Sequence, residues 1–169
     1  MLPMSTSKER VLKRERDRGR PVGKAQGRAD ALDLAARAPS MDGTAIIAEE
    51  GHIPAWSPDA DYSGQKAGIP VRDEGQVWTL LQPHNAAHYA GRPSELRALW
   101  GLAHTTDPGK ARPWVAAYGT SGLYKVDECC TYPHTGSGKL HVWRNTYDNN
   151  EYPPQTQNVE SRWVDMGLA

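Results

Sequence analysis

The pattern of apolar and polar positions predicts short β-strands in two separate stretches of the chain. In the first stretch, residues 68–72 and 76–82 form two strands around a hairpin turn, and residues 96–100 close the unit as a last strand or a helical turn. In the second stretch, the predicted strands are 124–132 and 140–145, and residues 161–164 close the unit. Short strands with turn residues between them predict a mainly β fold.

The N-terminal part of the chain follows a different pattern. Residues 7–18 are strong helix formers in which Val11 and Leu12 are the only large apolar residues, so such a helix has no apolar stripe to bury against its own domain. A second helix is predicted over residues 24–37. The short apolar run at 45–48 is interpreted as a strand in the connector that follows.

The two β stretches repeat one another at an offset of 63 residues. Residues 75–100 align without a gap on residues 138–163, and the alignment matches Gly75 with Gly138, Tyr89 with Tyr152 and Trp100 with Trp163. A tryptophan close behind a proline introduces each stretch, at positions 56 and 114. Self-similarity at a fixed period predicts duplicated structural units.

The repeat divides the chain into four parts, which are an N-terminal arm (1–50), a first small β module (51–104), a linker (105–111) and a second small β module (112–169). We therefore predict two three-stranded β modules in tandem, preceded by an extended or helical arm. Modules of about 50 residues bury little surface. We expect them to pack on each other or on further copies of the chain.

Charge separates the arm from the body. Residues 1–37 carry ten Lys/Arg and five Asp/Glu, whereas the remainder carries ten Lys/Arg and fifteen Asp/Glu. One interpretation is that the arm anchors the protein to another protein or to nucleic acid, and the other is a solvated, partly disordered tail. Mixed charges without aromatic residues make nucleic acid the weaker partner. The candidate anchoring residues are Arg10, Lys13, Arg14, Arg18 and Arg20.

Several functional classes lack support in the sequence. No apolar run approaches the roughly 20 residues that a membrane span needs, and the charged N-terminus does not have the apolar segment of a signal peptide. The chain has no nucleophile-elbow, phosphate-loop or zinc-protease motif, and the helical spacing of His84 and His88 has no obvious third metal ligand. We therefore expect no enzyme activity, no cofactor and no metal.

Each β stretch resembles the small chitin-binding modules of carbohydrate-binding families 5 and 12, which also occur in tailed-phage virion proteins. The shared pattern is a proline and a tryptophan, a turn ending in glycine, an aromatic-bearing strand, a polar loop with proline, and a closing tryptophan followed by a small residue, which in the second stretch comes after a short strand. In the first stretch these residues are Pro54, Trp56, Gly75, Trp78, Pro93, Trp100 and Gly101. In the second they are Pro113, Trp114, Gly138, Trp143, Pro153, Trp163 and Gly167. The resemblance covers about residues 53–103 and 112–168.

This resemblance implies an exposed aromatic platform on the return strand, on which a sugar ring stacks while neighbouring amides bind its hydroxyls. The carbohydrate-binding candidates are Trp143, Tyr147, Asn145, Arg144 and Trp78. The first stretch departs from the family pattern after Trp78, where two leucines follow. For Trp143 and Tyr147, packing against a neighbouring subunit is the alternative. The residues expected to fill the cores are Trp56, Trp100, Trp114 and Trp163.

The resemblance and the basic arm together imply a virion surface protein of the capsid-decoration or head-fibre type. Its arm would bind the major capsid protein or another virion protein, and its β modules would assemble as a homo-oligomer, with a trimer favoured. Host or environmental glycans are the second kind of partner. The alternative function is a chitin-type glycan adhesin, or a tail or baseplate appendage built from the same modules.

Overall fold

The computed structural model describes residues 24–169, and over this range the protein is mainly β. It has two small sheets, one of three strands and one of four. Helix α1 occupies residues 24–37, and a short helix α2, Gly43–Ala48, follows it. Within the described range, no helix combines the length and apolar character needed to cross a membrane.

The first sheet is an antiparallel hairpin closed by a third strand. Its strands are β1 (Pro70–Asp73), β2 (Gln76–Leu80) and β3 (Trp100–Leu102), in the order β1-β2-β3. The two turn residues of the hairpin have positive φ, 50° at Glu74 and 72° at Gly75. This is the turn type whose twist matches that of two antiparallel strands, so the predicted hairpin turn is confirmed.

The second sheet has the order β4-β5-β6-β7. Its strands are β4 (Arg112–Pro113), β5 (Cys129–Pro133), β6 (Leu140–Asn145) and β7 (Trp163–Leu168). Strand β4 runs parallel to β5, and the other pairs are antiparallel. The predicted strand 124–132 begins later than expected, because Asp127 has a φ of 70° and interrupts extended backbone.

The same backbone contacts recur in each of the two sheets. The Trp56 N–H donates to the Arg72 carbonyl at 2.9 Å, and the Trp114 N–H donates to the Thr131 carbonyl at 3.0 Å. Each closing strand begins with a tryptophan opposite the end of the central strand, Trp100 opposite Leu80 and Trp163 opposite Asn145.

The offset of 63 residues does not hold in the central strands. Trp78 lies opposite Val71 in the first hairpin, and Trp143 lies opposite Cys130 in the second, so the matching central tryptophans are 65 residues apart. The loop from the central strand to the closing strand is two residues shorter in the second sheet, which restores the offset of 63 at Trp100 and Trp163.

Each sheet has its own apolar cluster on one face. Trp78 and Trp100 are buried in the cluster of the first sheet, together with Tyr62, Ile69, Val71, Leu80, Ala86 and Leu102, and Trp56 packs against it. The cluster of the second sheet consists of Tyr124, Cys130, Trp143 and Trp163, and Trp114 packs against it. Both closing tryptophans are therefore buried, whereas Trp56 and Trp114 are partly buried.

A third cluster joins the predicted arm to the other face of the first sheet. Its members are Leu34, Ala38, Ile46, Ile47, Ile53, Val77 and Ala103. Leu34, Ala38, Ile46 and Ile47 of the predicted arm thus pack against the first sheet.

The predicted strand at 45–48 is wrong, because the Asp42 carboxylate accepts the Ala45 N–H at 2.8 Å and caps helix α2 there.

The predicted linker connects the two sheets tightly. Thr105 is buried and pairs with Cys129, and Pro108–Lys110 forms a turn of 3-10 helix. Arg112 donates to the Gly75 carbonyl and lies 2.7 Å from the Glu50 carboxylate. Residues 105–112 therefore bring the two sheets into direct contact.

Candidate functional site

Trp143 does not form an exposed platform. Its side chain is 6% exposed and packs with Tyr124, Cys130 and Trp163 on the covered face of the second sheet. The indole N–H donates to the Tyr132 carbonyl at 3.0 Å. Trp78 is buried in the same way in the first sheet, and its indole N–H donates to the Asp73 carbonyl at 3.3 Å. Both indoles are therefore buried, and neither provides the exposed platform that the sequence predicted.

Histidine and aspartate side chains lie around Trp143 at the edge of this face. The His134 ring is stacked on Trp143 at an interplanar angle of 10° and on His141 at a centroid distance of 4.8 Å. His141 Nδ1 donates to the Asp165 carboxylate at 2.8 Å. The pKa of Asp165 is lowered, first because the Gly167 N–H donates to it and then because His141 does. These groups close the surface that the sequence predicted as a ligand platform.

Asn145 is buried and organises a loop. Its amide donates to the carbonyls of Lys125, at 2.7 Å, and of Tyr147. The side chain of Asn150, also buried, donates to Asn145 Oδ1 at 2.9 Å and accepts the Tyr152 N–H at 3.2 Å. The two amides hold residues 145–152 in one conformation. Asn145 therefore positions the loop, and its side-chain amide is already engaged by partners within the protein.

Replacing Asn145 by alanine is expected to lower the free energy of unfolding by about 1–3 kcal/mol, because carbonyls and the Asn150 amide lose a buried partner. Urea unfolding of the full chain measures this change. Gln157→Ala, at an exposed position of the same polypeptide segment, serves as the control and should stay within about 0.5 kcal/mol of the parent. Equal stability of the two variants would contradict the role assigned to Asn145.

Tyr147 and Tyr152 of the loop that Asn145 holds, together with Arg162 from the turn before β7, form what we call the tyrosine surface. Tyr147 is 51% exposed and Tyr152 is 38% exposed. The Arg162 guanidinium carbon lies 4.0 Å from the ring centroid of Tyr147 and 5.1 Å from that of Tyr152. A guanidinium above an aromatic face is attracted by the ring electrons. Arg162 therefore lies against both rings.

This arrangement suits a ligand that has a flat, weakly polar face. Arg162 covers one face of the Tyr147 ring, and the exposure of the residue leaves ring surface open to solvent. Exposed polar residues lie near Tyr147 in the chain, at Thr146, Asp148 and Asn149. The sequence-predicted Tyr147 is thus accessible, and Arg144 is exposed too, on the face of β6 opposite to Trp143.

Sequence reasoning missed Tyr152 and Arg162 as members of this surface. A signal for Tyr152 was present, because the repeat matches it with Tyr89, and both tyrosines are exposed. The loop of the first sheet has a different neighbourhood. There Arg92 forms an ion pair with Asp73 at 2.6 Å and lies 3.4 Å from Glu74. No local pattern indicates that Arg162 reaches Tyr147 across fifteen residues of chain.

The remaining predicted site residues lie elsewhere. Arg10, Lys13, Arg14, Arg18 and Arg20 precede residue 24 and are outside the described residues. From residue 24 onward, no group of three or more histidine, cysteine, aspartate or glutamate side chains is placed to hold a metal ion. His84 Nδ1 lies 2.8 Å from the Gln82 carbonyl, and its ring packs edge to face on Trp100.

No protein family model matches the sequence, and no curated protein matches it.

Proposed function

We propose that this chain is a virion surface protein that binds a glycan through the tyrosine surface of its second sheet. The observation that carries the proposal is the tyrosine pair beside Arg162, whose guanidinium carbon lies 4.0 Å from the Tyr147 ring centroid while Tyr147 is 51% exposed. A sugar ring presents a C–H face that stacks on such a ring, and the guanidinium and nearby amides supply hydrogen-bond donors. Binding of this kind requires no catalytic group.

The attachment to a virion belongs to the N-terminal segment in this proposal. Residues 1–23 carry seven Lys/Arg and three Asp/Glu. Helix α1 is exposed at its start and buried at Leu34, so it joins this basic segment to the first sheet. The backbone contacts that recur in both sheets support the interpretation that the sheets are duplicated modules. In this proposal, the body presents these modules away from the attachment point.

Replacement of Tyr147 by alanine is the direct test of glycan binding. We expect Tyr147→Ala to weaken co-sedimentation of the full chain with chitin by about two- to tenfold, which corresponds to the loss of one aromatic stacking contact. Tyr118→Ala removes another exposed tyrosine, outside the tyrosine surface, and should bind chitin like the parent. Equal binding by the parent and Tyr147→Ala would contradict the proposed site.

Attachment is tested by co-sedimentation with empty capsids of a tailed phage. A version lacking residues 1–23 keeps Leu34 and the cluster on the first sheet, whereas a deletion through residue 50 would remove part of that cluster. Capsid binding by the full chain and not by this version supports the attachment. Binding to chitin by both versions, with binding to capsids by neither, would instead favour a glycan adhesin.

A further inference from the structure

A cleft of about 560 Å³ lies between the two sheets, apart from the tyrosine surface. Its lining includes Thr44 and Ile46 of helix α2, residues 102–104, and six residues between positions 120 and 128. This volume falls within the range of small-molecule sites, which is roughly 300–1,000 Å³. We call this feature the inter-sheet cleft.

His104 lines the inter-sheet cleft, and neighbouring groups fix its ring. Its Nε2 lies 3.0 Å from the Gly122 carbonyl, so this nitrogen carries the proton and donates. Nδ1 then holds the lone pair. The ring is stacked on Tyr124 at a centroid distance of 3.7 Å, which fixes its orientation. Burial lowers the pKa of His104 to about 4, so the imidazole stays neutral at physiological pH.

The backbone around His104 is also held tightly. A Cβ atom at position 43 would lie 2.2 Å from the His104 carbonyl oxygen, so the start of helix α2 packs directly against this backbone. No side chain fits at position 43 without displacing one wall of the cleft. This close backbone packing between α2 and the first sheet fixes the position of α2 at the cleft.

The lining of the inter-sheet cleft favours a neutral ligand with several hydroxyl groups. Hydroxyl and amide groups line it at Thr44, Thr79, Thr106, Thr120 and Asn149, beside apolar side chains such as Leu102 and Leu123. Its carboxylates are partly engaged by backbone, since Asp42 accepts the Ala45 N–H and Glu128 accepts the Lys125 N–H. Lys125 offsets one of these two charges, and burial raises the pKa of the Glu128 carboxyl, so the lining disfavours an anion such as phosphate.

From this geometry we infer that the inter-sheet cleft binds one neutral sugar unit, with His104 Nδ1 accepting a hydrogen bond from a sugar hydroxyl. Asn149 belongs to the loop that carries Tyr147 and Tyr152, and it also lines the cleft. The cleft and the tyrosine surface are thus neighbours across this loop. This sugar would be the end of a longer glycan that also contacts the tyrosine surface, and that part of the inference rests on the proposed function. The binding of a single sugar in the cleft does not.

The test uses the full chain and two matched tryptophan substitutions at exposed valines. Val126→Trp places a large ring at the wall of the cleft, and Val164→Trp places the same ring on β7, away from it. The probes are N-acetylglucosamine and glucose, with glucosamine and glucuronate as charged analogues. Titrations followed by NMR of the His104 ring nitrogens report binding at the cleft, and chitin co-sedimentation reports binding at the tyrosine surface.

We expect the neutral sugars to shift the His104 ring signals more than the charged analogues do. Val126→Trp should weaken this binding at least tenfold, while Val164→Trp and Tyr147→Ala should leave it unchanged. The inference is overturned if neither neutral sugar shifts the His104 signals, or if Val126→Trp binds them like the parent. Loss of chitin binding in Tyr147→Ala beside unchanged sugar binding in Val126→Trp would retain the proposed function and reject the cleft.

Discussion

Replacing Trp100 by alanine is expected to lower the free energy of unfolding by about 3–5 kcal/mol. Trp100 is 0% exposed and begins β3 at the centre of the first apolar cluster. Tyr62 and His84 meet its ring edge to face, at centroid distances of 5.1 and 5.4 Å. Removing the indole leaves a cavity between two aromatic neighbours whose backbones lie in separate loops, so the site can collapse only in part. Urea unfolding measures the loss.

A second substitution separates packing from hydrogen bonding at this position. The Trp100 indole N–H has no hydrogen-bond partner within residues 24–169, whereas that of Trp163 donates to the Tyr152 carbonyl at 2.9 Å. Trp100→Phe should therefore cost much less than Trp100→Ala, because it keeps most of the ring and loses no hydrogen bond. Leu32→Ala, at an exposed position, controls for unspecific effects. Equal losses in the phenylalanine and alanine variants would contradict this account.

The second large effect is a loss of stability on acidification, caused by His104. Its side chain is 9% exposed, and burial lowers its pKa from the ordinary 6.5 to about 4. Below pH 6.5 the unfolded chain binds a proton at this ring that the folded chain does not bind. The free energy of unfolding should therefore fall between pH 6.5 and about 4, by about 3 kcal/mol in total.

Other groups titrate in this range, so the measurement compares the parent with His104→Gln. The glutamine amide can still donate to the Gly122 carbonyl, but it does not titrate. Glu128 acts in the opposite direction, because burial raises the pKa of its carboxyl and protonation there favours the folded chain. Both proteins retain this contribution. We expect a clearly flatter profile for the glutamine variant, and parallel profiles would refute the assignment of a neutral buried imidazole.

The elements that sequence patterns predicted well are those specified by local chemistry. The turn before Gly75 needs two residues with positive φ, and the alternation on either side of it specifies a hairpin. Helix α1 was predicted from the spacing of its apolar residues and forms over 24–37. The run at 45–48 was misassigned because a short apolar run has no period that distinguishes strand from helix. There the cap at Asp42 was the better signal.

The sequence alone thus determined the mainly β character, the hairpins and the recurrence of a tryptophan at each closing strand, because these depend on alternation and on residues close in the chain. Tertiary structure decided which face of each strand is covered. Alternation places Trp143 and Asn145 on one face, but the groups that close that face come from other elements, including His134 on the turn and Asp165 on β7. The tyrosine surface and the inter-sheet cleft likewise depend on residues far apart in sequence, whose approach only packing decides.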